Sequence, residues 1–530
     1  MTPPKALSGD PTNANEADRG NVSKGARSHF AINVASNMAY MALTTVAMTL
    51  YIPFLIHRLG IAVYGMVPLS NTLIIYLATI TDGLNVAISR YLAIDLNRKD
   101  TVAANKTFNT ALSVSLLAVV IMFPVGAVVT WLFPLLFQVP VGFENAARIL
   151  FACVLATYAL TLIDTNFAVS TIIAHRFDLR NLVRGLTMIA RMGTAIVLFT
   201  LLPAQLWFVG LGYVLSALVS LGGNYRLWRT LTPQLQMNWV SIDRARLGEL
   251  LGLSGWSLVN RIGMLLFLST DLLVINLFLG AQMTGWYGTL VLFPELLRNL
   301  VDTVASVLSP TIMARYAVND HEGLKQIAVR SVKLLGLALA LPIGLLCGFA
   351  RPFLGIWLGP EFTHLDSLLV ALIGYLGITL ATLPLSYVLT GYNKVRIQGV
   401  VTLLLGVVNL ALSILSAGWL GWGVLGVAGS TALVFVVRGM VFLSSYSAYT
   451  MKLPWWTFYR PLIEGALGSV GIGLLTYGLT QLWWPANWFA LGGEAAVITL
   501  ISLVGVYVLG LNPADRQLVW GLVPHGRVTK

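Results

Sequence analysis

The sequence predicts an all-α polytopic membrane protein of about 14 transmembrane helices. Two six-helix lobes are expected about a pseudo-two-fold axis along the membrane normal, with two extra helices after them. Three observations predict this. The chain has 530 residues, 57% hydrophobic and only 10% charged, where soluble domains carry about 25% charged residues. Apolar runs of about 20 residues, the length that crosses a hydrocarbon core, recur almost without pause. A hairpin pattern also appears twice, some 220 residues apart. The runs are apolar all round rather than alternating, which argues against a β-barrel.

Residues 1–29 are polar, mixed in charge and rich in Pro, Gly, Asn and Ser, and read as a disordered cytoplasmic tail. They lack the pattern of a cleavable signal, so the first span is expected to direct insertion. Spans are expected near 30–56, 63–94, 107–133, 147–173, 181–203 and 206–226, making an N-lobe over 30–226. A cytoplasmic linker covers 227–248. Spans near 249–279, 284–313, 329–350, 366–390, 397–417 and 423–448 make a C-lobe over 249–448. Residues 449–530 hold spans near 459–482 and 488–511 and a cytoplasmic C-terminal tail. The second, seventh and eighth spans are long enough to tilt or project. Trp286 beside Tyr287, Trp419 with Trp422, and Trp483 with Trp484 fit anchoring at the outer interface.

Orientation follows from Lys and Arg. With the amino terminus inside, 26 of the 33 basic residues fall in cytoplasmic segments or tails. Only Arg58, Arg148 and Arg351 lie outside, and four arginines lie within spans. The net charge of +12 is therefore a topology signal and not a sign of nucleic-acid binding. The chain is expected in a bacterial inner membrane, with both termini cytoplasmic.

The repeat is read from four matches in one order. Leu59-Gly60 and Leu279-Gly280 end one helix, where Gly suits the left-handed position after it. Tyr64-Gly65 and Tyr287-Gly288 start the next. Arg90-Tyr91 matches Arg315-Tyr316, and "AHRFDLRN" at 174–181 matches "GYNKVRIQG" at 391–399. An even number of spans per repeat makes both copies enter from one side. Two like lobes around a cleft suggest a transporter that rocks between inward-open and outward-open states.

Residues 53–93 and the segment "AHRFDLRN" resemble the polysaccharide flippases of the multidrug/oligosaccharidyl-lipid/polysaccharide exporter superfamily. The resemblance extends loosely over the whole chain. It implies movement of an undecaprenyl-diphosphate-linked oligosaccharide from the cytoplasmic to the periplasmic leaflet by alternating access. It also implies a central cavity lined by helices one, two, seven and eight, coupling to an ion gradient such as H+ or Na+ or to the membrane potential, and work beside glycosyltransferases and a polysaccharide polymerase. Peptidoglycan-precursor flippases resemble this layout but carry arginines in the first helix. Residues 31–56 here contain no Lys or Arg, which lowers that alternative.

A charged side chain at the bilayer centre costs at least about 2.5–3.5 kcal/mol, so intramembrane charges must face a polar interior. Arg298 and Arg261 are read as holding the substrate diphosphate, since arginine stays charged and offers a planar fork of donors. Arg191 and Arg438 are weaker candidates, with a static pair to Asp164 or a carbonyl as the alternative. Glu295, Arg298 and Asp302 share one helix face at i, i+3 and i+7. The two acids would release the arginine from substrate, or simply neutralise it. Pro294 should loosen the helix beside them. Asp271 is the candidate for proton coupling. Asp82, Arg90 and Arg315 are candidates for gating, and Asn37 and Asn71 for sugar hydroxyls or for interhelical bonds. The lipid tail is expected to stay in the bilayer, against spans thirteen and fourteen.

No P-loop and no zinc motif occurs. Cys153 and Cys347 read as apolar fillers. The rivals are a drug exporter of the same fold, which an acidic cavity would favour, a glycan polymerase or ligase, which needs a large outside loop, and a scaffold, which needs no buried charge.

Overall fold

A computed structural model of the chain describes residues 12–238, 261–510, 513 and 516. The N-terminal part holds α1 (Thr12–Leu59), α2 (Ile61–Tyr64), α3 (Met66–Asn97), α4 (Thr101–Leu136), α5 (Glu144–Ile173), α6 (Phe177–Leu201) and α7 (Trp207–Leu231). The helix α1 thus begins inside the stretch that composition reads as a tail. The second part holds α8 (Arg261–Leu268), α9 (Asp271–Leu279), α10 (Ala281–Leu290), α11 (Leu292–Ser306), α12 (Leu308–Ala317), α13 (His321–Gly348) and α14 (Ala350–Trp357). It continues through α15 (Asp366–Ile373), α16 (Leu376–Ala381), α17 (Leu383–Gly391), α18 (Val395–Ile414), α19 (Gly423–Val436) and α20 (Ser445–Thr450). The last two helices are α21 (Tyr459–Leu482) and α22 (Trp488–Gly505).

Among the described residues, 12 helical stretches are long and apolar enough to cross a membrane, or 13 if the bent pair α8–α9 is one span. The expected count of 14 differs by the eighth span. Residues 281–317 are helical almost throughout, but the stretch carries Glu295, Arg298, Asp302 and Arg315 and is divided into α10, α11 and α12. Proline explains the divisions. A proline cannot donate to the carbonyl four residues before it. The preceding segment ends four residues before Pro68, Pro294, Pro310 and Pro352, at Tyr64, Leu290, Ser306 and Gly348.

The two hairpins match in local geometry. Gly60 and Gly280 both have positive φ, 78° and 91°, at the α1–α2 and α9–α10 turns. This conformation is open to glycine at little cost. At the opposite end of the molecule, Lys99 and Asn319 are left-handed, at φ 58° and 55°. Each is followed by an aspartate that caps the next helix: Asp100 accepts from the Ala103 N–H and Asp320 from the Gly323 N–H. Asp320 also accepts from Arg315, at the end of α12. The Gly323 N–H and the Arg315 guanidinium hold its carboxyl below the usual carboxylate range.

Among the described residues, the extensive contacts between the two lobes all lie at the end carrying the two glycine turns, called here the hairpin end. There α2 and α3 pack on α9 and α10. Gly65 sits against the Ala281 carbonyl and Gly285, and Gly285 against the Ile61 carbonyl, so close that neither glycine has room for a Cβ. Gln138, after α4, is clasped by α9. Its backbone N–H donates to Asn276 Oδ1 at 2.9 Å and its side-chain amide to the Leu277 carbonyl at 2.8 Å. Asn276 Nδ2 returns a bond to the Gln138 carbonyl. The Trp357 indole donates to the Thr49 carbonyl at 2.6 Å. Outside the lobes, α21 lies along α13, with Gly336, Gly344 and Gly348 facing Gly465, Ser469 and Thr476.

Candidate functional site

The site is built on the seam between the lobes. A cavity of about 380 Å³ is walled on one side by α1, α2, α3, α6 and α7 and on the other by α9, α10 and α11. Its charged lining groups are Arg191 of α6 and Glu295 of α11. Arg191 donates from Nη2 to the Tyr213 hydroxyl at 2.6 Å, and its guanidinium lies 4.1 Å from the centre of the Tyr213 ring. Among the described residues its buried Nε–H has no hydrogen-bond partner, nor has the buried hydroxyl of Tyr51 on the same wall. Asn71 of α3 donates to the same Tyr213 hydroxyl at 2.6 Å. Buried donors are seldom left unpaired. Neither of these two donors finds a partner among the described residues, and both belong to side chains that line the cavity.

Asp164 does not reach Arg191. It accepts from Ser220 at 2.6 Å and from Asn224 at 2.9 Å, both on α7. The alternative that paired Arg191 with Asp164 is thus replaced by a guanidinium held on the Tyr213 hydroxyl and ring.

Arg298 is placed differently from Arg191. It turns into the C-lobe, donating to the Tyr375 hydroxyl at 2.8 Å and lying 5.0 Å from the Phe435 ring centre. Among the described residues, neither Glu295 nor Asp302 pairs with it, although all three share a face of α11. Glu295 reaches the central cavity together with Asn299, while Asp302 is exposed farther along the helix. Arg261 begins the described part of α8 and is half-buried there. Arg438 lies in a π-helical stretch, Val437–Ser444, with Thr402 as its hydrogen-bond partner at 3.5 Å. Arg90 is exposed on α3. The Asp82 side chain lies outside the described residues. Arg315 is engaged by Asp320.

Asn37 serves α1–α6 packing: Asn181 donates to its Oδ1 at 2.7 Å. This accounts for much of "AHRFDLRN". Asn33 of α1 donates to the His175 carbonyl at 3.0 Å and accepts from the Asp178 N–H, and Arg176 pairs with Asp178 at 2.9 Å. The segment is a joint that fixes α6 against α1, and so aims Arg191.

A second polar cluster lies inside the C-lobe. Asp271 is the first residue of α9, just past a 41° bend from α8. A helix N-terminus favours negative charge. Its carboxylate accepts from Tyr287 at 2.6 Å, Thr431 at 2.8 Å and Ser413 at 3.3 Å. Thr431 is also 3.1 Å from Asn409. Among the described residues no Lys or Arg makes an ion pair with this carboxylate. The residues that sequence reasoning missed are mostly aromatic or hydroxylic: Tyr51, Tyr213, Tyr375, Phe435, Ser413 and Thr431. A tyrosine in mid-span was the available signal, because its hydroxyl must find a partner there.

Comparison with known proteins agrees with this architecture. A family model described as polysaccharide biosynthesis protein matches residues 30–316. An uncharacterized membrane protein of Bacillus subtilis (strain 168), EpsK, is 29% identical over 92% of this chain and 97% of its own. The inward closed conformation of the lipid II flippase MurJ shares the fold, at 12% identity and a TM-score of 0.66, over 92% of this chain and 100% of that one. An inward-facing multidrug resistance MATE family transporter of the MOP superfamily matches 77% of this chain and 94% of its own, at 15% identity and a TM-score of 0.58.

Proposed function

Because the chain belongs to the polysaccharide biosynthesis protein family, we propose that it flips an undecaprenyl-diphosphate-linked oligosaccharide across the membrane by alternating access. It is read as a secondary-type transporter and not an enzyme. The Lys and Arg distribution supports an amino terminus inside and transport from the cytoplasmic to the periplasmic leaflet. The observation that carries the reading is Arg191. It is a guanidinium held on the wall between two lobes, and among the described residues neither its buried Nε–H nor the Tyr51 hydroxyl on the same wall has a partner. A diphosphate supplies the acceptors both lack. The sugar head is the costly part to move, because unpaired hydroxyls in hydrocarbon cost about 1–3 kcal/mol each. A polar cavity removes that barrier.

Glu295 faces the same cavity from α11. As the lobes move, it can compete for Arg191 and release the phosphate. Asp271 and its three hydroxyl partners supply a site where H+ or Na+ can be exchanged, which would couple the cycle to an ion gradient. Glu295 also favours a second reading, export of a cationic drug, in which it rather than Arg191 grips the cargo.

Flipping by purified protein in vesicles tests this. We expect Arg191→Ala to slow flipping of the lipid-linked oligosaccharide by about tenfold or more, the equivalent of about 1.4 kcal/mol. Arg191→Lys should retain part of the rate. Flipping at the wild-type rate in both variants, or loss only in Glu295→Gln together with export of cationic dyes, would sink the diphosphate role.

A further inference from the structure

Three chambers surround α3 in sequence. The central cavity shares Asn71 and Tyr213 with a smaller chamber of about 260 Å³ between α3, α5 and α7. That chamber carries the hydroxyls of Thr157, Thr161 and Thr165. It shares Tyr158 and Leu162 with a third of about 550 Å³, enclosed by α3, α4 and α5 and bordered by Leu273 of α9. The third is lined almost wholly by hydrocarbon, including Ile121, Met122, Val125 and Leu155. The adjoining face of α4 is turned outward: Val120 is 67% exposed and Phe123 75%. In a membrane that face meets lipid.

Polarity therefore falls in steps, from a guanidinium to an amide, to threonine hydroxyls, to hydrocarbon. We infer that the α3–α4–α5 groove holds the polyprenyl tail of the substrate while its diphosphate sits at Arg191. This rests on the function proposed above and adds where the tail lies. A graded route to a guanidinium suits an amphiphile with an anionic head, and a diphosphate offers that guanidinium more acceptor oxygens than the single phosphodiester of a bulk phospholipid. The seam is also placed for it. Adjacent residues of α9 face the two compartments, Leu272 the head cavity and Leu273 the tail groove. A tail across that seam stays in hydrocarbon while the head changes sides. By contrast, the crevices beside α21, lined by Cys347, Val370 and Tyr477, share no lining residue with the central cavity. The tail is thus moved from its expected place against spans thirteen and fourteen.

The test is photolabelling of the full chain in nanodiscs with undecaprenyl diphosphate bearing a diazirine in its chain. Adducts are expected in residues 118–129 and 151–162, displaced by unlabelled undecaprenyl diphosphate but not by equal phosphatidylglycerol. Ala118→Trp and Met122→Trp, which fill the groove from its lipid side, should each lower the yield by about tenfold. Binding of a sugar linked to short-chain geranyl diphosphate should stay unchanged in both. Adducts confined to residues 459–508, equal displacement by phosphatidylglycerol, or undiminished yield in both tryptophan variants would overturn the inference. Arg191→Ala separates the two readings. It abolishes short-chain binding if the head site is right, and short-chain binding that survives it sinks the head site alone.

Discussion

Arg191 and Arg298 use the same local chemistry, a tyrosine hydroxyl and an aromatic face, worth about 0.5–2 kcal/mol for the stacking alone. They end in different places. Arg191 lies on the cavity wall, and Arg298 is folded into the C-lobe against Tyr375 and Phe435. Spacing along one helix placed Glu295, Arg298 and Asp302 on a shared face, but a face of about 100° can border both a cavity and a neighbouring helix. The sequence could show that charges were buried, and not which way each turned. Asp271 was legible as a lone intramembrane acid; its hydroxyl partners were not, because Ser413 and Thr431 lie some 140 to 160 residues away along the chain. Asp271→Asn keeps the volume and removes the charge. We expect flipping driven by an imposed ion gradient to fall by about tenfold, while gradient-independent exchange of lipid-linked sugar persists. A variant that still answers the gradient like wild type would remove Asp271 from coupling.

At the level of elements, span positions were readable wherever a long, strongly apolar run carried few charges, as in Thr101–Leu136 and Glu144–Ile173. The eighth span was readable as a helix, but its divisions depend on where prolines strand a carbonyl, and Pro294 showed only the first of them. The cross-lobe clasp left no trace, since Gln138 and Asn276 sit in unrelated stretches and meet only in the folded chain. The start of the linker is held likewise: Asn105 and Asn109 of α4 bond the backbone of Gln234, Gln236 and Asn238. The clasp makes a definite prediction. Asn276 is fully buried, and Asn276→Ala deprives the Gln138 N–H of its acceptor. Gln138 is itself exposed, so water can replace the lost acceptor and the cost is that of one ordinary hydrogen bond, about 0.5–1.5 kcal/mol, and only in the state closed at the hairpin end. The population should therefore move toward opening at that end by roughly 2- to 13-fold. A cysteine replacing buried Val67 should then react faster with an impermeant thiol reagent added from the hairpin side. An unchanged rate would mean that the clasp does not hold the gate.

For the molecule as a whole, alternating access requires the lobe contact at the hairpin end to form and break in each cycle. The contact at Gly65 and Gly285 is backbone against backbone, and that closeness is what seals it. A test must separate closure of the seam from the stability of the helix itself. Gly285→Ala does so, because alanine is the better helix former by about 0.8–1.0 kcal/mol. It should therefore strengthen α10 while its Cβ meets the Ile61 carbonyl. Gly185→Ala in α6 is the matched control, since a Cβ there meets nothing within 4 Å. We expect the control to flip substrate normally with unchanged or higher thermal stability. Gly285→Ala should keep its fold but fail to close. Spin labels across the hairpin end would report a wider separation, and flipping would fall steeply with head binding retained. If Gly285→Ala closes and flips like the control, the seam yields to a methyl group. Closure would then depend on the Gln138–Asn276 clasp rather than on tight glycine packing, and the two sites would exchange roles in the cycle.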